Sequence, residues 1–297
     1  MKVSVVIPTY RDWPRLALCL AALRAQTLPA GEFEIIVADN DALPLPLDQR
    51  PAGVRYVHAP QGYSYAARNA GAALAGAPVL AFTDADCLPT PQWLQAGLAA
   101  LTAHPDCDLM AGRIDISAAQ DNAAVRYERL FEFQQESLVQ LGGYSVTANL
   151  FVRAAAFQAV GGFDAGLKSC GDSEFCLRAG RSGHAIGYAD AALLHHPARD
   201  SLHEILAKNR RIATGEHARI RREAQGSAVA VWRGLLYAFR PRPREWFYLL
   251  RGGRGSEAYP LPQRAGVLAV RLLVHYQMAW CMLRSQLSHG RSDAAVR

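Results

Sequence analysis

The chain has 297 residues, 51% of them hydrophobic and 20% charged, enough apolar material for the core of one large domain or of a domain with an appendage. Its six cysteines form no Cys-x-x-Cys pair and lie at irregular intervals, which speaks against a disulfide framework and for a reduced, cytoplasmic compartment. The net charge of +6 divides unevenly, −5 over residues 1–198 and +11 over residues 199–297, so the tail is expected to meet an anionic partner.

Val3–Ile7 is a short apolar run stopped by Pro8 and reads as a buried first strand; it is too short for the apolar region of a secretory signal. Residues 14–26 place Leu16, Leu20 and Leu23 at helical spacing. Strands are expected at Glu34–Ala38, Val54–His58 and Val79–Thr83, and helices at Ala66–Ala75 and Pro91–Ala103. Strands alternating with helices imply a parallel, doubly wound α/β sheet, whose ligand crevice lies beyond the strand C-termini. Residues 122–141 read as one helix. Next come a strand at Val146–Val152, a helix at Ala154–Val160, the loop Gly161–Asp164, a helix at Asp172–Arg181 and two short strands, Ala185–Tyr188 and Ala191–Leu194. From Ser201 the pattern is helical and basic, and no run of about 20 uninterrupted apolar residues argues for a spanning helix.

The strand at 79–83 runs into Asp84-Ala85-Asp86. Side chains at i and i+2 of an extended segment point the same way, so the two carboxylates repel unless a cation sits between them. The alternative is a turn in which Asp86 caps the next helix. Other strand ends carry Pro8-Thr9-Tyr10 and Asp39-Asn40-Asp41, and a glycine-bounded turn, residues 62–71, contains Arg68 and Asn69. All can converge on one crevice.

In this order the segments Val-Ser-Val-Val-Ile-Pro-Thr-Tyr, Ile-Ile-Val-Ala-Asp-Asn, Ala-Arg-Asn-Ala-Gly and Phe-Thr-Asp-Ala-Asp resemble glycosyltransferase family two, inverting enzymes of the GT-A fold that use nucleotide sugars. Asn149–Arg153, Gly161–Asp164 and Gly171–Arg178 extend the match over roughly residues 1–200. The resemblance implies that Pro8, Thr9 and Tyr10 line the nucleotide pocket and that Asp39 hydrogen-bonds the base. It places Arg68 near base and diphosphate, and Asp84 and Ala85 near the ribose. Asp86 would ligate Mn²⁺ or Mg²⁺, with His195 completing the shell in preference to His196, and Asn149, Gly162, Phe163 and Asp164 would line the acceptor or sugar pocket. The family's general base usually follows a glutamate at a helix start. Here the pair is Gly171-Asp172, so Asp172 is the expected base, with Glu174 as the fallback and helix capping as the alternative role.

The expected organisation is a GT-A domain over 1–200 and a basic, amphipathic helical region over 201–297. Lys208, Arg210 and Arg211 would either clamp the diphosphate or form a solvated face. Val229–Phe239 and Ala265–Leu283 are apolar but flanked or interrupted by Arg233, Arg271 and Arg284, with Trp232, Trp246, Tyr248, Tyr276 and Trp280 among them. Such helices suit an anionic membrane face, here the inner face of the cell membrane, and the other options are a cap over the first region or a homodimer interface. Nucleic acid is not an expected partner, given the aliphatic bulk. The function expected is transfer of a sugar from a nucleoside-diphosphate donor, UDP first, to a hydroxyl of a lipid-linked or polysaccharide acceptor. A sugar-phosphate nucleotidyltransferase would want glycines after the first strand, which Pro8–Asp12 lacks. The missing glutamate motivates the remaining alternative, a donor-binding protein without turnover.

Overall fold

Strands made of unbroken apolar runs need cover on both faces, and alternate residues must then enter two different cores. The computed structural model describes residues 1–225 and 227–295. In chain order it contains β1 (Val3–Thr9), α1 (Trp13–Arg24), β2 (Phe33–Asp39), β3 (Arg55–His58), α2 (Ser64–Leu74), β4 (Val79–Thr83), β5 (Leu88–Pro89), α3 (Trp93–Ala103) and β6 (Cys107–Ser117). There follow α4 (Ala123–Phe131), α5 (Gln135–Gly142), β7 (Asn149–Arg153), α6 (Ala154–Ala159), α7 (Gly171–Arg181) and β8 (Ala185–Pro197). The chain ends in α8 (Leu202–Glu223), α9 (Ala228–Ala238), α10 (Pro243–Leu250) and α11 (Leu261–Ala295).

Two compact units result, one of residues 1–117 and 133–197, the other of residues 118–132 and 198 onward. In the first, eight strands form one sheet in the order β3-β2-β1-β4-β7-β6-β8-β5. β3, β2, β1 and β4 are parallel, and β7 runs antiparallel between β4 and β6. The expected mostly parallel sheet is thus parallel where the first three crossovers build it and mixed beyond β4. Val3, Val5 and Ile7 enter one core with Leu16, Leu20, Leu23, Trp93 and Leu94 of α1 and α3. Val6, Leu80 and Phe82 enter the other with Tyr65, Phe157 and Phe175 of α2, α6 and α7. Gly71 lets α2 approach closely, since a Cβ there would meet Val6 Cγ1 at 2.6 Å.

Three expectations change. The helix over 122–141 breaks at Phe133, whose φ of 53° is left-handed. Its first half, α4, packs Ala124, Tyr127 and Leu130 against Ile205, Leu249 and Val267, so the boundary is not a single cut at residue 200. The two short strands after residue 185 are one, β8, with a register shift against β6 between Gly112 and Ile114.

The second unit is helical, and three of its helices, α4, α8 and α9, start where the sequence supplies caps: Asn122, Ser201 and Ser227 each accept a backbone N–H three residues on. α11 has a segment, Leu261–Ser288, long and apolar enough to cross a membrane, unlike the sequence expectation, although a third of its most apolar stretch is buried within the unit. Lys208 pairs with Glu132 at 2.5 Å, both largely buried, so it is a structural cation. Burial raises the Glu132 carboxyl's pKa, but Lys208, Arg199 and Arg271 outweigh this and hold it below its usual range. Its stabilising contribution is therefore complete above the unfolded-state pKa and lost as pH falls through the lower folded value. Lys208→Met leaves that carboxylate buried without its main cation and is expected to cost about 3 kcal/mol, measured by urea denaturation at pH 7.

Candidate active site

The parallel register sets Thr9 beside Asp39, and β4 ends at Thr83, so Asp84–Asp86 leave the sheet on the side where β1 and β2 also end. Pro8 is buried within β1, Thr9 closes the strand, and Tyr10 beyond it is exposed. The hydroxyls of Thr9 and Thr83 and the Arg68 Nε are buried with no hydrogen-bond partner among the described residues. A bound polar group would satisfy them. Arg11 grips Asp41 through two bonds of 2.8 and 3.1 Å, tying the loop after β1 to the loop after β2.

Asp39 is fully buried, and its oxygens accept from Tyr56 Oη at 2.5 Å and the Asp41 amide at 3.0 Å. Burial together with the Asp39 bond pushes the Tyr56 hydroxyl up to about 12. Arg68, buried on α2, donates to Asp84 Oδ1. Burial, reinforced by the Asp84 charge, raises the Asp86 pKa against the pull of His196 and Arg15.

The histidine beside Asp86 is not the expected one. β5 pairs antiparallel with β8, Leu88 opposite His195, which continues to set Cys87 opposite His196. Neighbouring strand residues face opposite ways. His195 therefore points to the Asp115 side, while His196 lies with Nε2 3.7 Å from Asp86 Oδ1. His196 Nδ1 is 2.7 Å from the Pro197 carbonyl, which only accepts, so Nδ1 carries a proton and Nε2 is the nitrogen turned toward Asp86. A backbone carbonyl orienting the far nitrogen is the usual support of a metal-ligating imidazole. Ligand atoms of Asp86, Cys87 and His196 lie within 4.8 Å of one another. Burial pushes the Cys87 thiol well above its ordinary pKa, so at neutral pH it stays a protonated core residue. The remaining oxygen and nitrogen donors fit a hard or borderline divalent cation.

Asp172 lies in the first turn of α7 and is not its N-cap, which is Cys170. Its Oδ1 accepts from the Ser173 amide at 2.9 Å and from Tyr65 Oη at 3.3 Å. Burial raises its pKa, opposed by the Ser173 amide, by Arg68 and by Tyr65. Arg68 thus influences both Asp84 and Asp172. Glu174 turns away and clamps Arg178 with bonds of 2.8 and 3.0 Å, so it is not a spare base.

The expected acceptor residues are mostly structural. Asn149 accepts from Trp93 Nε1 and donates both amide hydrogens to the Arg113 and Ala192 carbonyls, all at 2.8 Å, and is fully buried, so it is out of a sugar's reach. Phe163 is packed among Phe82, Phe157 and Phe175, and its backbone is held on both sides by Asn69. Gly162 has φ +69° and a Cβ there would meet Asn69 Oδ1 at 2.8 Å, so it shapes the loop. Asp164 accepts from the Gly166 amide at 3.0 Å and is half-buried.

A family model described as Glycosyl transferase family 2 matches residues 4–160, which carry the strand ends and both aspartates of the crevice. Glycosyltransferase AglE of Haloferax volcanii is 30% identical over 94% of this chain and 91% of its own length. The chain belongs to glycosyltransferase family 2. The pre-mycofactocin glycosyltransferase of Mycobacterium tuberculosis is 30% identical over 69% of this chain and 45% of its own length. Solved structures share the GT-A fold of this glycosyltransferase. The mannosyltransferase PcManGT from Pyrobaculum calidifontis, in complex with GDP-Man and Mn²⁺, superposes with a TM-score of 0.61 at 16% identity, covering 95% of this chain and 87% of that one. S. aureus TarS 1-349, in complex with UDP-GlcNAc, gives 0.55 at 17%, covering 97% and 92%.

Tyr56 and Tyr65, whose hydroxyls donate to Asp39 and Asp172, do not stand out in the sequence. Tyr65 and Arg68 are one helical turn apart on the glycine-bounded helix, and that spacing was the available signal.

Proposed function

We propose that this glycosyltransferase moves a sugar from a nucleoside-diphosphate donor to an acceptor hydroxyl with inversion. Asp172 serves as general base, and Asp86 and His196 hold a divalent cation, Mn²⁺ or Mg²⁺. The observation that carries this reading is the line of charge along the crevice: Asp86 and Asp84 at the strand end, buried Arg68 on Asp84, and Asp172 within the reach of the Arg68 field. A cation bound at Asp86 would neutralise charge on the departing diphosphate. Arg68 adds fixed positive charge beside it. Asp172 Oδ1 is engaged, so Oδ2 takes the acceptor proton as the hydroxyl oxygen bonds the anomeric carbon. The bond from that carbon to the diphosphate oxygen breaks on the opposite face, and the nucleoside diphosphate leaves with the electron pair. The likeness to structures holding UDP-GlcNAc and GDP-Man supports a nucleoside-diphosphate sugar, and UDP is the first to test. Incubation with radiolabelled UDP- and GDP-sugars and Mn²⁺ should yield transfer or slow donor hydrolysis. Donor binding without turnover for every sugar and acceptor would refute it.

We further place the second unit on an anionic membrane surface, with a lipid-linked acceptor as the substrate that such a surface presents. On α9, Val229, Trp232, Leu236 and Tyr237 are exposed at steps of three, four and one, and on α11, Leu273, Tyr276, Trp280 and Leu287 form a second outward stripe. Apolar and aromatic stripes among arginines are the pattern of interfacial helices. The double substitution Trp232→Ser, Trp280→Ser is expected to lower partitioning to phosphatidylglycerol vesicles about tenfold, read by co-sedimentation. Unchanged partitioning would refute this contact.

A further inference from the structure

Helix α7 begins without a side-chain cap: its N-cap, Cys170, has a left-handed backbone (φ 61°) and makes no capping bond through its side chain. The first amides of a helix still need acceptors. The hydroxyl of Tyr65, on α2, instead reaches the side chain of this first turn. The same hydroxyl donates to Asp172 Oδ1 at 3.3 Å. The ring is 6% exposed and fixed on its remaining sides, with Phe163 at 5.6 Å between centroids and the Arg68 guanidinium 5.5 Å from the ring centre.

Gly171 admits this ring. A Cβ at that position would meet Tyr65 carbons at 2.6, 2.7 and 2.8 Å, closer than side chains approach. Its φ lies outside the left-handed region, so the backbone alone would accept an ordinary residue. The ring imposes the glycine, and the space where the family's glutamate would start is filled from α2.

We propose that Tyr65 is a positioning residue for Asp172: its hydroxyl holds one oxygen of the carboxylate, its ring lies against the first turn of α7, and Gly171 is the complement that lets it approach. The proposal rests on the reading of Asp172 as the base. Tyr65 donates to the ionised form of Asp172, so losing it should also make the carboxyl harder to ionise.

The test compares Tyr65→Phe, Gly171→Ala and Asp172→Asn in donor and acceptor kinetics over pH, with Tm measured for each. Tyr65→Phe keeps the ring and is expected to lower kcat about tenfold, leave the donor KM within about twofold and move the acid limb of the kcat profile to higher pH. Gly171→Ala in a helical first turn would ordinarily be harmless or stabilising. Here it should displace the ring and reproduce the Tyr65→Phe profile, and the double variant should be no worse than the more impaired single one. If Asp172→Asn is inactive while Tyr65→Phe keeps wild-type kcat and acid limb, the positioning role is wrong and the base stands. A fall in Tm and kcat with an unmoved limb would make Tyr65 a packing residue and overturn the proposal. An active Asp172→Asn would instead remove the base on which it rests.

Discussion

Asp172→Asn is expected to lower kcat by about 10²–10⁴ while leaving donor affinity close to wild type. The amide matches the carboxylate in shape, and its oxygen can still accept from the Ser173 amide and the Tyr65 hydroxyl, so the crevice keeps its geometry. What it cannot do is take a proton from the acceptor. Burial raises the Asp172 pKa, so the wild-type rate should fall on its acid limb above the ordinary carboxylate range. The same raised pKa has a consequence for stability. A carboxyl whose folded pKa exceeds its unfolded value favours the native state at low pH and opposes it as pH rises through the folded value. Asn removes that cost, so at pH 7 the variant should melt no lower than wild type. A variant that is inactive yet no less stable is the signature of a group placed for chemistry. Weakened nucleotide binding by isothermal titration would put Asp172 in the donor site instead.

Asp86→Ala is expected to abolish the Mn²⁺-dependent part of nucleotide binding and to reduce transfer by about 10³-fold or more, the order of several kcal/mol supplied by a bound cation. In thermal-shift measurements, UDP with Mn²⁺ should raise the Tm of wild type and not of the variant. Chelation should silence wild type, and added Mn²⁺ should restore it. His196→Ala should weaken the metal response, and His195→Ala should leave it near wild type, because His196 Nε2 lies 3.7 Å from Asp86 Oδ1 whereas His195 lies beside Asp115. A reversed order for the two histidines would contradict the geometry.

Much of the first unit was legible because its strands report burial directly. Val79–Thr83 is a strand between the same residues that its apolar run suggested, and β1 differs only in reaching two residues further, to Thr9. β6 was not visible, since Asp108, Arg113 and Asp115 interrupt its apolar positions on the face that meets water and other charges. The break at Phe133 had no glycine or proline to announce it. At the site, Asp84, Asp86, Arg68 and Asp172 were readable from residue type and order. The choice between His195 and His196 was not, because it depends on which residue of β8 faces Leu88 across a pairing of distant segments. Asn149 and Phe163 looked like pocket residues from their motifs, yet Asn149 is consumed by three hydrogen bonds and Phe163 by an aromatic cluster. Tyr65 and Asp172 are 107 residues apart, and only the close pass of α2 over Gly171 joins them.

The most direct test of the crevice as donor site is a crystal soaked with UDP and Mn²⁺. The expected result is a cation within coordination distance of Asp86 and His196, the diphosphate bridging toward Arg68, and Asp172 facing the open side where the sugar would sit. Nucleotide bound away from Asp84–Asp86, or a cation held by His195, would contradict it.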